Sequence, residues 1–206
     1  MSKLNGVTGI VAAIAAVFAS AGAAVPAPSA TSLFMQTGSV TSQPIGHYEF
    51  CQKFKSECQI KSKSSVAPRV TDFGWETIRE VNADVNHEIT PITDMDFYGR
   101  DEVWAYPDGA GDCEDIALLK RKRLMEKGFS ASDLLMTVVR KPDGEGHAVL
   151  TVRTAQGDFI LDNLEDQVKI WAETPYRFLK RQASVNTGRW VTIENGAEVL
   201  VGSVGN

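Results

Sequence analysis

The chain has 206 residues, of which 43% are hydrophobic and 23% are charged, with 21 lysines and arginines against 26 aspartates and glutamates. This composition is ordinary for one globular domain and excludes a wholly disordered chain. A formal net charge of −5 argues against a general nucleic-acid-binding protein, because such proteins usually carry a basic surface. We therefore expect an acidic globular protein without a nucleic-acid partner.

The first 47 residues carry a single formal charge, that of Lys3. An unbroken apolar run follows at Ile10–Ala19, and then small residues that contain two Ala-x-Ala sequences. This order of positive start, short apolar core and small residues is typical of a secretory signal peptide. A membrane anchor or a flexible apolar tail is the alternative, but a span needs about 20 apolar residues.

These features divide the chain into three parts. Residues 1–23 are predicted to be a signal peptide, and residues 24–47, rich in Ala, Pro, Ser and Thr, a flexible lead. Residues 48–206 are predicted to be the folded domain. Export predicts a periplasmic or secreted protein with no membrane span after signal cleavage.

The predicted domain contains all three cysteines. Cys51 and Cys58 are close enough to pair across a short loop, and an oxidising compartment favours that disulfide. Their spacing also allows a zinc half-site, but the sequence has no second cysteine pair or histidine cluster to complete it. Cys113 is left over, and such a thiol is buried, paired between chains, or used chemically.

The segment around Cys113 favours chemical use. The thiol follows a glycine-rich sequence and precedes a helix predicted from about Asp115 to Lys127, with Gly128 as its end. Free N–H groups and the positive end of the helix dipole lower the pKa of a thiol, and the thiolate is the nucleophile. The alternative is a buried structural cysteine.

Three acids flank this thiol, namely Asp112, Glu114 and Asp115. Their charges oppose formation of a thiolate at Cys113. Either they cap the helix or something neutralises them, and a bound cation would do so.

The three histidines differ in their surroundings. His47 lies in the predicted lead and His87 on an amphipathic helix, so we expect both to be structural. His147 opens a strand, and the chain then turns and runs back through Asp162. An acid beside an imidazole on the next strand is the arrangement that orients a catalytic base.

At these residues the sequence resembles the bacterial transglutaminase-like cysteine proteinases. The matching segments are the cysteine pair, GDCED around the third cysteine, and the later GEGHAVLTVRT and GDFILDN. The resemblance implies an α+β, papain-like or transglutaminase-like fold with the nucleophile at a helix N-terminus packed on an antiparallel sheet. It implies Cys113 as nucleophile, His147 as general base and acid, and Asp162 as the group that orients His147.

The best-understood relatives are periplasmic, calcium-dependent proteases that clip the N-terminal region of large surface adhesins and are restrained by an inner-membrane regulatory receptor. In those relatives the acids beside the nucleophile bind calcium, which here implies Asp112 and Glu114, with Asp115 adjacent. Asp94, Asp96 and Asp101 are left open as caps, solvated acids or a further ligand. The resemblance therefore predicts an exported Ca²⁺-dependent cysteine endopeptidase with a protein substrate.

Two other functions stay open from the sequence. A transglutaminase or amidase acting on peptide or cell-wall substrates would use the same triad, and a non-catalytic periplasmic regulatory module would keep the triad without using it. Two minor expectations concern packing. The run Lys120–Arg123 is predicted to be a solvated helix face, and Trp104 is the tryptophan expected nearest the site.

Overall fold

A computed structural model describes residue 1 and residues 32–63 and 66–196, so the predicted signal peptide lies outside the described residues apart from Met1. Within the described ranges, no helix has both the length and the apolar character to cross a membrane. The strands are β1 (Thr37–Thr41), β2 (Thr90–Pro91), β3 (Ala110–Gly111), β4 (Leu134–Arg140), β5 (Gly146–Thr154), β6 (Gly157–Asp162), β7 (Glu165–Ile170), β8 (Arg177–Ala183) and β9 (Asn186–Ile193). The α-helices are α1 (Ile45–Lys53), α2 (Asp72–Glu88), α3 (Asp94–Tyr98) and α4 (Cys113–Glu126), and short 3₁₀ turns span Lys55–Cys58, Ala131–Asp133 and Trp171–Glu173.

Seven strands form one antiparallel sheet in the order β1-β9-β8-β4-β5-β6-β7. The central strand β4 and its partner β5 are rich in β-branched and aliphatic residues, as expected of strands covered on both faces. The β5–β6 hairpin closes at Thr154 opposite Gly157. Gly157 has φ 144°, a conformation that favours glycine at this tight turn. The hairpin thereby brings the end of β6 back towards the start of β5.

The helices cover one face of the sheet. Helix α4 packs on β4, β5 and β6, and α2 packs on α4 and β7. Thr71 caps α2 by accepting a hydrogen bond from the Gly74 N–H at 3.1 Å, a cap that stabilises a helix by about 1 kcal/mol. The shared core consists of buried apolar side chains from both helices and the sheet, including Ile78, Val85, Ile116, Leu118, Leu124, Met136, Leu150 and Leu161. The predicted α+β fold with an antiparallel sheet and the Cys113 helix packed on it is confirmed.

The ordered domain begins earlier than the sequence predicted. The segment 24–47, expected to be a flexible lead, contains β1 and the start of α1. β1 is an edge strand that pairs with β9, and the Met35 side chain just before it is buried. The sequence of β1, TGSVT, has only one large apolar residue, so the order comes from backbone pairing with a distant strand.

The run Lys120–Arg123 is not a solvated face. Lys120 and Arg121 are buried, because α4 is covered by the sheet on one side and by α2 on another. Arg121 donates hydrogen bonds to the Leu134 carbonyl at 3.1 Å and to Glu57 at 2.9 Å. Only Lys122 and Arg123 lie near the surface, and Arg123 pairs with Glu88.

The predicted pairing of Cys51 with Cys58 is confirmed by a disulfide that joins α1 to the following 3₁₀ turn. Both sulfurs are thus committed, so this pair provides no zinc half-site. His47 lies buried beside it and accepts a hydrogen bond from Trp190 Nε1 at 3.2 Å. Burial, with a further effect of the Arg121 charge, lowers the pKa of His47 to about 4. His47 is therefore a neutral packing residue.

Candidate active site

A cleft of about 750 Å³ opens between the start of α4 and the start of β5. Cys113 and His147 both line it, and Trp104 forms part of its wall as expected. The remaining lining is unusually acidic around the thiol, with a single lysine among the described lining residues: Asp94, Asp101, Glu102, Asp112, Glu114 and Lys180. The cleft thus brings the left-over cysteine and the strand histidine into one space.

Cys113 is the first residue of α4, two positions before the predicted start. Its thiol is free and partly exposed. The thiol accepts a hydrogen bond from the Ala148 N–H at 3.4 Å and donates one to Glu114 Oε2 at 3.0 Å. Burial raises the pKa of the Cys113 thiol, and the charge and hydrogen bond of Glu114 raise it further. The helix N-terminus alone therefore does not make a thiolate while Glu114 is ionised.

His147 and Asp162 meet across the β5–β6 hairpin. The Nε2 atom of His147 lies 2.9 Å from Asp162 Oδ1, and both side chains are buried. Burial acts to raise the pKa of Asp162, but hydrogen bonds from His147 and Tyr176 hold it below its usual value. Because an ionised carboxylate can only accept, Nε2 carries the proton, and Nδ1 is left as the basic atom of the ring.

Tyr176 is a site residue that the sequence reasoning missed. Its hydroxyl donates to Asp162 Oδ2 at 2.5 Å, and its ring packs edge-on against His147 with centroids 5.4 Å apart. The Leu164 N–H adds a further hydrogen bond to Asp162 Oδ1 at 3.0 Å. Tyr176 lies immediately before β8, and the long-range sheet order that brings it to Asp162 leaves no local signal in the sequence.

The acids near the thiol form two overlapping groups. Within each group the potential ligand atoms lie within 4.8 Å of one another: Asp112, Cys113 and Glu114 in one, and Asp94, Asp112 and Asp115 in the other. Asp112 belongs to both, so the predicted trio of Asp112, Glu114 and Asp115 is divided between them. Asp94, which the sequence left open, joins the second group. Asp96 instead lies near the start of α3, where its carboxylate accepts from the Thr93 hydroxyl at 2.7 Å.

The second group has the character of a cation site. Oδ1 of Asp112 and Oδ2 of Asp115 are buried without hydrogen-bond partners among the described residues. The other oxygen of Asp115 accepts from the Ala105 N–H at 2.7 Å, and Asp94 accepts from the Val103 N–H. Carboxylate oxygens held in this way, each with an unused lone pair, suit a hard divalent cation such as Ca²⁺.

The packing around Asp115 leaves little freedom for its carboxylate. A Cβ at Gly111 would lie 2.8 Å from Asp115 Oδ2 and 3.0 Å from the Pro107 side chain. Only glycine at this position therefore admits the carboxylate without displacing its neighbours.

Burial and mutual repulsion raise the pKa values of these acids towards neutral pH when nothing neutralises them. Burial, followed by the charge of Asp94, raises the pKa of Asp112 to about 6. Burial and the effect of Asp112 raise the pKa of Glu114 to about 8, and burial raises that of Asp115 to about 7. A cation in this cluster would favour the ionised forms and so offset the repulsion.

Comparison with known proteins places the chain in a family. Residues 37–198 match the family described as bacterial transglutaminase-like cysteine proteinase BTLCP. Among solved structures, calcium-bound LapG of Legionella pneumophila is 25% identical, with a TM-score of 0.50 over 62% of this chain and 75% of that chain. A second LapG structure from the same organism is 27% identical, with a TM-score of 0.48 over 57% of this chain and 68% of that one. No curated protein matches significantly.

The matched residues extend from β1 to beyond β9 and include the free cysteine at the start of α4, the histidine of β5 and the acidic cluster near the thiol. The LapG comparison has the same α+β architecture. The expected resemblance is thereby confirmed, and with it the class of enzyme. The chain belongs to the bacterial transglutaminase-like cysteine proteinases and is a cysteine peptidase that acts on protein substrates.

Proposed function

We propose that this chain is an exported cysteine endopeptidase with Cys113 as nucleophile, His147 as general base and acid, and Asp162 as the orienting acid. The observation that carries the proposal is the 2.9 Å contact between His147 Nε2 and Asp162 Oδ1. The residue after His147 in β5, Ala148, donates its N–H to the Cys113 thiol, so the pair and the thiol are close together. This ordered arrangement gives each side chain one role in acyl transfer.

Acylation begins with transfer of the Cys113 proton to Nδ1 of His147. The thiolate attacks the carbonyl carbon of the scissile peptide bond, and its electron pair forms the new carbon–sulfur bond while the carbonyl oxygen becomes an oxyanion. The first N–H groups of α4 have no carbonyl partner within the helix, and that of Cys113 is suited to stabilise this oxyanion. His147 then returns its proton to the leaving amine as the carbon–nitrogen bond breaks.

Deacylation repeats the proton transfers with water. His147 takes a proton from a water molecule that attacks the thioester, and the carbon–sulfur bond breaks to give a carboxylic acid and the regenerated thiol. Asp162 stabilises the imidazolium at each stage without itself accepting the proton. Its lowered pKa supports this role, because the carboxylate stays ionised over the working range of a cysteine peptidase.

We assign the cation site to Asp112 with Asp94 and Asp115 on one side and Glu114 on the other. Bound Ca²⁺ would supply positive charge beside the nucleophile. The two buried, unpartnered carboxylate oxygens support the assignment, as does the likeness to a LapG structure that was determined with calcium. With Glu114 drawn to the cation, the thiol of Cys113 would lose the neighbouring charge that raises its pKa.

A large surface adhesin is the proposed substrate, and the periplasm or the extracellular space the proposed location. The first 47 residues, with Lys3 as their single formal charge, and the Cys51–Cys58 disulfide support export, since disulfides persist in oxidising compartments. Control by an inner-membrane regulatory receptor belongs to the same proposal, because the family resemblance implies it.

The experiment is digestion of a cell-surface fraction from the source organism by the reduced protein, with Ca²⁺ or with a chelator. We expect new protein N-termini that require Ca²⁺ and that do not form with Cys113→Ala. Amine incorporation without chain cleavage would identify a transglutaminase instead. The absence of any Cys113-dependent product would contradict the proposed endopeptidase.

A further inference from the structure

Lys120 occupies an unusual position in the middle of α4. It lies two turns after Cys113, its exposed fraction is 0%, and its Nζ has no hydrogen-bond partner among the described residues. Lys122 on the same helix has 48% of its side chain exposed. Removing an ammonium group from water is costly, and an apolar side chain of similar length often fills such a position with equal or greater stability. The amine is therefore not explained by packing alone.

The charges that face Lys120 belong to the β6–β7 connection. They are the carboxylates of Asp162, at the end of β6, and Asp166, in β7. Both favour the charged amine, although burial is the larger effect and lowers the pKa of Lys120 to about 7. From α2, the exposed His87 reaches the same connection through Asp166 at 3.4 Å. The buried amine of Lys120, on the helix that carries the thiol, thus lies in the field of the carboxylates at the end of β6 and in β7.

Helix α2 holds the same turn from another side. Asn86 Nδ2 donates to the Asp162 carbonyl at 2.9 Å and to Asp166 Oδ1 at 2.8 Å. Asn82 Nδ2 donates to the carbonyls of Glu165 at 3.1 Å and Asp166 at 2.9 Å. The backbone from Asp162 to Asp166 is thus held by hydrogen bonds from α2, which itself packs on the helix that carries Cys113.

We propose that Lys120 and Asn86 are positioning residues that hold the β6–β7 turn so that Asp162 stays aligned with His147 beside Cys113. This proposal rests on the proposed triad. Neither residue lines the described cleft, so both act through Asp162 and not through contact with substrate. Loss of either one lets the turn shift, and a small misplacement of an orienting group is enough to slow proton transfer.

The test compares Lys120→Met with Lys122→Met as the matched control on the same helix. The probe is iodoacetamide, whose rate of reaction with Cys113 is measured across pH in the presence of Ca²⁺, together with the melting temperature. In Lys120→Met we expect a rate near neutral pH that is roughly tenfold lower and a profile displaced to higher pH, since a misaligned imidazole no longer takes the thiol proton. Lys122→Met keeps the wild-type profile.

The melting temperature separates positioning from a structural role. Below about pH 7 the buried charge opposes folding, so Lys120→Met is expected to melt at the same temperature as the wild type or higher. A slower thiol in an equally stable protein supports the proposal. A structural role predicts that reactivity and stability fall together, and that result would overturn it.

Asn86→Ala provides a second route should Lys120→Met fail to fold. It removes the hydrogen bonds to Asp162 and Asp166, and alanine is well tolerated in a helix. We expect the same displacement of the profile, with a smaller amplitude. A wild-type profile in folded Lys120→Met, or in Asn86→Ala if the former does not fold, overturns the proposal. Failure of the triad itself looks different, because His147→Ala would then leave the reactivity of Cys113 unchanged.

Discussion

Acidic side chains on the two sides of the cleft are held in opposite ways. On the sheet side, Asp162 receives hydrogen bonds from His147, Tyr176 and the Leu164 N–H, and its pKa stays low although it is buried. On the helix side, Asp112 and Asp115 each keep a buried oxygen without a partner among the described residues, and their pKa values are raised. The fold thus gives the sheet-side carboxylate its own hydrogen-bond donors, and we call this the satisfied side. The helix-side acids, which we call the unsatisfied side, keep buried oxygens without donors among the described residues.

Asp162→Asn removes the carboxylate of the satisfied side and is expected to have the largest effect on turnover. An amide cannot stabilise the imidazolium of His147 and can instead hold the ring in the wrong tautomer, so turnover should fall by about 10³-fold. The measurement is the cleavage rate of the protein substrate found by N-terminal sequencing. Calcium affinity should stay near that of the wild type, since the acidic cluster is untouched. Turnover within tenfold of the wild type would remove Asp162 from the triad.

Chelation of Ca²⁺ tests the unsatisfied side. We expect activity to fall by about 10²-fold without the cation, because the partly buried thiol of Cys113 then lacks the neighbouring positive charge that would favour its thiolate. The measurement is turnover against free Ca²⁺, with Mg²⁺ as the control ion. Equal turnover in chelator and in Ca²⁺ would contradict a functional calcium site.

Stability without the cation should depend on pH in a defined direction. The pKa values of Asp112, Asp115 and Glu114 are raised to about 6, 7 and 8, so the folded state binds more protons than the unfolded state above about pH 4. The stabilising contribution of these three acids to the free energy of unfolding is therefore complete below about pH 4 and is lost as pH rises through 6 to 8. Because Ca²⁺ needs the ionised forms, the increase in melting temperature that it causes should grow over the same interval. A calcium-induced increase in melting temperature that becomes smaller as pH rises would contradict this prediction.

Tyr176→Phe weakens the satisfied side without removing its acid. The hydroxyl is one of the donors that lower the pKa of Asp162, so its loss should raise that pKa and move the acid limb of the pH–rate profile to higher pH. Because the lost hydrogen bond is to a charged group, we expect the cleavage rate of Tyr176→Phe to fall by roughly tenfold. The phenyl ring keeps the edge-on contact with His147, so the melting temperature should fall only by the effect of the one lost hydrogen bond. An unchanged acid limb would leave Tyr176 as a packing residue only.

The sequence predicted the satisfied side better than the unsatisfied one. Cys113, His147 and Asp162 lie in local patterns, a helix start and a hairpin, whose geometry follows from near neighbours in the chain. Tyr176 and Asp94 were not assigned to the site, because each reaches it only through distant packing: one by the strand order that sets β8 beside β4, the other by the short helix α3. An acidic cluster assembled from two separate helix starts has no sequence period to detect.

The two errors in packing have the same physical origin. Four consecutive charges suggested a solvated face of α4, but the helix is covered on two sides, and Lys120 and Arg121 are buried. The polar strand β1 looked like part of a flexible lead, yet its pairing with β9 orders it. In both cases tertiary contacts outweigh composition, which reports average exposure and not the partner of a given side chain.

Asp94→Asn should give the smallest effect and tests how many acids the unsatisfied side contains. The change has two opposing consequences. It removes the charge that raises the pKa of Asp112, which frees that carboxylate for Ca²⁺ near neutral pH, but it also removes a ligand charge. The second dominates, because ligand charge acts on the ion directly, so calcium affinity should fall by about fivefold. Calorimetric titration at two pH values measures this, with Asp96→Asn as the control on the same helix, and equal affinities for the two variants would exclude Asp94 from the cluster that binds the cation.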